Sequence, residues 1–154
     1  MSLRQPLLIP ILFEGREVYQ LVEEWSFVSM SERIAVPKGF ICDGASIPRL
    51  LWMIRPPDGI HRAAAVAHDW LYANKGFGVF TRKKCDLVFL DLLKAAGVSW
   101  LSRKLMYRGV RLGGWVAWSK PKRVTVEPML TGFGLTGLRH VILGDWEGHL
   151  YSPA

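Results

Sequence analysis

His68 and Asp69 stand side by side in Ala63-Ala-Ala-Val-Ala-His-Asp-Trp-Leu-Tyr72, a run that is otherwise apolar. A further carboxylate, Asp86, follows in Thr81-Arg-Lys-Lys-Cys-Asp-Leu-Val-Phe89, again close to an apolar stripe. Burying an ionisable group is costly unless it is paired, hydrogen-bonded or bound to metal. These three residues therefore belong either to a buried network that fixes packing or to a chemical site. Tyr72 and Arg82 are placed to complete such a network. In the chemical reading, Asp86 accepts a hydrogen bond from one ring nitrogen of His68, and the other nitrogen takes a proton from water, as a general base does.

Asp69 projects about 100° around a helix from His68 and is a candidate ligand for a divalent cation, calcium or zinc. Asp43 is a second candidate ligand, although Asp43-Gly44 is also ordinary turn chemistry. Ser46 lacks the Gly-x-Ser-x-Gly elbow of a hydrolase nucleophile, so it is grouped with Tyr72 and Arg82 as a supporting residue.

The elements that must position these groups are legible from capping and turn residues. Asp58 is a credible N-cap for a helix from about Gly59 to Asn74, with Gly76 just beyond it. Thr81 caps a second helix to about Ala96, closed by Gly97. Ser99 caps a third, from Trp100 to about Leu112, with Gly113-Gly114 expected to break it. The short connection from Lys75 to Phe80 makes the first two helices antiparallel neighbours, which brings His68 and Asp86 to the same end of the pair. Before the helices, residues 7 to about 42 are rich in β-formers, with turn chemistry at Glu14-Gly15 and Pro37-Lys38-Gly39. After them, Lys120-Pro-Lys-Arg123 forms a basic hinge, and glycines punctuate the remainder.

The expected fold is α+β: an N-terminal antiparallel β-meander, a three-helix unit, and an extended Gly-rich C-terminal arm with one or two strands. Residues 1–118 form the domain and 119–154 the extension.

With 154 residues, half of them hydrophobic and about a fifth charged, the chain can bury a core without metal or disulfides. Cys42 and Cys85 form neither a CxxC pair nor a disulfide framework, which fits a reducing compartment. The start reads as a strand rather than a signal peptide, and no run is long enough to span a bilayer. A net charge of +7 favours acidic or phosphate-rich partners. No nucleic-acid-binding module or aromatic stacking platform appears, so nucleic acid is not expected among them. The third helix mixes Trp100, Leu101, Leu105, Met106, Val110 and Leu112 with Arg103, Lys104, Arg108 and Arg111. That pattern suits a core helix with a solvated basic face, the reading favoured here, or a helix lying in a membrane interface.

Two resemblances add to this. Val36-Pro-Lys-Gly-Phe40, Asp43-Gly-Ala-Ser-Ile-Pro-Arg49, Trp52, Ala64, His68-Asp69, Leu71-Tyr72, Arg82-Lys83, Asp86 and Phe89 occur in order and resemble an uncharacterised domain family of tailed bacteriophages and prophages. The likeness covers roughly residues 30 to 118. It implies a phage protein, expected in the virion near the tail or baseplate or in its assembly. Other phage structural proteins would then be its partners, and it would pass from host cytoplasm to particle. Locally, Ala-Ala-x-x-x-His-Asp-x-x-Tyr followed by a helical Asp is similar to the core of parvovirus-type phospholipase A2 domains. That likeness implies His68 as general base, Asp86 as its orienting partner and Asp69 as a calcium ligand. The Gly-Pro-Gly calcium loop of those domains is missing, and Asp43-Gly44-Ala45-Ser46 would stand in its place. The alternative function is thus a small hydrolase of envelope phospholipid or peptidoglycan.

Overall fold

A computed structural model describes residues 3–42, 59–120 and 151–153. The chain begins with two tight hairpins. β1 (Leu8–Phe13) pairs antiparallel with β2 (Arg16–Leu21), and β3 (Trp25–Ser29) with β4 (Glu32–Val36). Each hairpin closes through two residues in the left-handed region, Glu14-Gly15 and Met30-Ser31. Two successive positive φ angles give a turn whose twist matches that of the flanking strands. The second turn achieves this without glycine.

The expected antiparallel strands are present, and they divide between two sheets. β5 (Ile41–Cys42) adds to β2, giving the order β1-β2-β5. β6 (Tyr151–Pro153) adds to β4, giving β3-β4-β6. The C-terminal strand thus pairs within its own chain; the rest of the expected arm, 121–150, lies outside the described residues. So do Asp58, Asp43 and Ser46. Along β3 burial alternates residue by residue, with Trp25 and Phe27 inside and Ser26 and Val28 outside, as a half-buried strand requires.

Three helices follow: α1 (Arg62–Ala73), α2 (Arg82–Ala95) and α3 (Trp100–Ser119). α1 starts later than expected. Gly59 has φ +62°, which no right-handed helix accommodates, and residues 59–61 form a turn ahead of the helix. The caps of the other two are as expected: Thr81 Oγ1 accepts from the Lys84 amide and Ser99 Oγ from that of Ser102.

α1 and α2 are joined by a 3₁₀ turn at Lys75–Gly78. At Gly76 a Cβ would stand 2.8 Å from that of Phe80, so the glycine is required for close packing as well as for its positive φ. α2 lies between α1 and α3, and Ser29 of β3 donates to Asp91 on α2 at 2.7 Å. The core joins sheet and helices through Leu21, Phe27, Ile34, Trp70, Leu71, Phe89 and Leu92. Small Ala63, Ala64 and Ala67 are fully buried on α1.

α3 corrects one expectation. It runs through Gly113-Gly114 to Ser119 instead of stopping near Leu112. Gly114 is buried against Tyr72, and a Cβ there would stand 2.5 Å from Tyr72 Oη. The glycine that looks like a helix stop is a point where two helices meet closely. Among the described residues, no helix is long and apolar enough to cross a membrane.

Candidate functional site

Three helices converge on one carboxylate. Asp86, in the second turn of α2, has a side chain 0% exposed. His68 and Tyr72 are four apart on α1, so their side chains lie one above the other on the face that meets α2. His68 Nε2 is 2.9 Å from Asp86 Oδ1, and Tyr72 Oη donates to the same oxygen at 2.5 Å. Arg111, from α3, donates through Nη1 to Oδ2 at 2.6 Å. Arg82, four residues before Asp86 on α2, stands 3.8 Å from Oδ2 and donates to the Arg111 carbonyl at 3.1 Å. The second arginine therefore braces the first while adding positive charge.

Burial alone would raise the Asp86 pKa. The hydrogen bonds from His68, Tyr72 and Arg111 outweigh it and hold the carboxyl below its ordinary value. Asp86 is thus a buried anion at neutral pH, and it can only accept. His68 must then place its proton on Nε2, and in a neutral ring the lone pair falls on Nδ1. Among the described residues no hydrogen bond is made to Nδ1. Burial and the neighbouring Asp86 charge push the Tyr72 phenol well above its usual pKa, so it stays protonated as a donor. Asp86 in turn raises the Arg111 pKa.

The His68 ring is held by apolar walls as well as by the carboxylate. It packs against Tyr72 at a centroid distance of 4.0 Å and Phe89 at 5.1 Å, and the residue is 4% exposed. Trp118 closes edge-on over Tyr72 at 5.1 Å, with Lys75 above its ring. Cys85, next to Asp86, is also fully buried, and its thiol is pushed up to about 12, chiefly by burial. It is inert at neutral pH. Cys42 and Cys85 are both buried thiols outside any disulfide.

Of the residues singled out from sequence, His68, Tyr72, Arg82 and Asp86 come together. Asp69 is half-buried on α1. Among the described residues no group of three or more His, Cys, Asp or Glu side chains could hold a metal ion. Asp69 by itself does not supply the oxygen-rich shell that calcium requires, and the other candidate ligand, Asp43, is outside the described residues. Arg111 and Gly114 were missed. Their signal is the spacing Arg111, Gly114, Trp118, which puts a cation, a small residue and an aromatic on one face of α3.

The strands, helix trio and buried anion define an α+β domain built around a His–Asp–Tyr–Arg cluster. The chain belongs to DUF1353, a family of proteins of unknown function, whose model matches residues 19–110. The match takes in His68, Tyr72, Arg82 and Asp86 and stops one residue short of Arg111. No curated protein and no solved structure shows significant similarity to the chain.

Proposed function

We propose that this is a phage virion or assembly component whose His68–Asp86 pair hydrolyses carboxylic esters of envelope phospholipid. The supporting observation is the orientation of the His68 ring. One nitrogen is fixed on a buried carboxylate that Tyr72 and Arg111 keep ionised, and the opposite nitrogen makes no hydrogen bond to the described residues. That is the arrangement a general base needs. His68 Nδ1 takes a proton from water while the oxygen of that water bonds to the ester carbonyl carbon. Asp86 stabilises the imidazolium so formed. When the tetrahedral intermediate collapses, the carbon–oxygen ester bond breaks and the proton passes from Nδ1 to the departing alkoxide. Fatty acid and lysophospholipid result.

The apolar surroundings of the ring, with Tyr72 and Phe89 packed on it and the Tyr72 hydroxyl committed to Asp86, support an acyl ester over peptidoglycan. The calcium implied by the phospholipase likeness has too few donors among the described residues, and no step here passes through it. The competing outcome is a purely structural hub. Fatty-acid release from phospholipid vesicles, compared between the native chain and His68→Ala, separates the two. The native chain is expected to hydrolyse, and a folded His68→Ala variant is not.

The biological setting rests on different support, the ordered motifs from Val36 to Phe89 that resemble tailed-phage proteins. In that setting the chain is made in host cytoplasm and joins the tail or baseplate region. Mass spectrometry of purified particles tests it, and a particle lacking the chain would leave only the assembly role.

A further inference from the structure

α3 is apolar on two opposite sides. Its inward side buries Met106, Val110 and Gly114 and brings Arg111 to Asp86. On the outward side, Leu101, Leu105, Leu112, Trp115 and Val116 fall within about 100° of arc at 100° per residue. All five are exposed, Leu112 at 78% and Trp115 at 62%. This stripe is about 22 Å long at 1.5 Å per residue. It exceeds the scattered single apolar residues normal on a protein surface.

The charge around the stripe indicates what covers it. α3 carries Arg103, Lys104, Arg108 and Arg111 and no acidic residue. Arg108 lies within the apolar arc and Lys104 at its edge, both exposed. Apolar side chains and tryptophan flanked by cations alone match the boundary between acyl chains and anionic headgroups.

We propose that the outward face of α3 docks on an anionic lipid bilayer, lying in the interface with Leu101, Leu105, Leu112, Trp115 and Val116 inserted and Lys104 and Arg108 at the headgroups. The choice of lipid over a protein rests in part on the ester-hydrolase reading of His68. The same helix holds Arg111 on Asp86 and Gly114 on Tyr72, so docking through α3 sets the His68 cluster one helix diameter from the membrane.

The test uses the full chain and ether-linked phospholipid vesicles, which contain no ester to cleave, so that binding is read independently of hydrolysis. Co-sedimentation is expected with vesicles containing phosphatidylglycerol and to be much weaker with phosphatidylcholine alone. It should weaken as salt is raised. Arg108→Gln is expected to reduce binding about fivefold, the effect of one cation near an anionic surface. Leu112→Asp should reduce it by more than about tenfold, since it removes apolar insertion and adds repulsion. Both positions are exposed, so melting temperatures should stay close to native. Three results would overturn the proposal: no binding to anionic vesicles, binding that Leu112→Asp leaves intact, or a salt-insensitive dimer that Leu112→Asp dissociates. The last would assign the stripe to a second copy of the chain. Binding on ether lipid without hydrolysis of ester lipid would uphold the docking face and overturn the hydrolase reading alone.

Discussion

Asp86 holds a full negative charge out of water, and its three hydrogen bonds reach it from two other helices. Asp86→Asn removes the charge and replaces one of the two acceptor oxygens by an amide NH2, so either Arg111 or the His68–Tyr72 pair faces a donor where it had an acceptor. Breaking a buried ion pair from one side costs about 3–5 kcal/mol. Arg111 is partly exposed and can turn to water, so the lower end, about 3 kcal/mol, is expected in urea denaturation. The pH dependence follows in sign. A carboxyl depressed on folding contributes stability that is complete above its unfolded pKa, about 3.9, and is lost as pH falls through the folded value. Acid unfolding below about pH 4 should therefore be blunted in Asp86→Asn. Tyr72 is the reverse case. Its pKa is raised on folding, so its contribution is full below the ordinary value of 10.0 and declines at higher pH, where the unfolded chain ionises first. Cys85 shares this sign from its ordinary 9.0 up to about 12. Tyr72→Phe should flatten the alkaline limb in part, leaving the share due to Cys85. Melting temperature against pH checks both limbs. The His68–Asp86 pair was legible in the sequence because it lies across one short connection with clear capping residues. Arg111 was not, because its helix sits after a second turn and the spacing rules that pair residues within one helix do not reach across three.

Element boundaries were set by the residues that cap or break helices, and these differ in what they reveal. Thr81 and Ser99 mark helix starts because a hydroxyl acceptor there satisfies an amide that would otherwise lack a partner. Thr81→Ala should cost about 1 kcal/mol. Glycine is ambiguous by nature: it serves as a stop through its left-handed freedom and as a contact point through its missing Cβ. Gly76 does both. Gly114 does only the second, and nothing local distinguishes it from a stop. The pair Gly113-Gly114 therefore offers a contrast. Gly113 is exposed within α3, and Gly113→Ala should stabilise by up to about 1 kcal/mol through helix propensity. Gly114→Ala gains the same propensity but drives a methyl to 2.5 Å from Tyr72 Oη, so it should destabilise overall and disturb the grip on Asp86. Thermal unfolding of the two variants side by side distinguishes them. The two-sheet arrangement was hidden for another reason. Hairpin turns specify nearest-neighbour strand pairs, whereas β4 finds β6 more than a hundred residues later, a pairing that no local pattern encodes.

At the scale of the molecule, the α+β class followed from strand-type residues giving way to helix-type residues near residue 60. The helices bring one anion under the control of three segments, and the third segment exposes an apolar, acid-free face on its other side. The base proposed at His68 and the lipid-docking face proposed for α3 would together serve a single activity at a membrane surface. That activity depends on water gaining access to the His68 ring, which is 4% exposed in the resting fold. Fatty-acid release from ester phospholipid vesicles, measured for the native chain and for His68→Ala with circular dichroism and melting temperature recorded on both, tests this most directly. His68→Ala loses one buried hydrogen bond, about 1–3 kcal/mol, and the packing of the ring against Tyr72 and Phe89, so the rates are compared at a temperature below the melting point of the variant. The native chain should release fatty acid, and the variant should lose at least about a hundredfold of the rate. No release by the native chain, or equal release by the folded variant, would contradict the role assigned to His68.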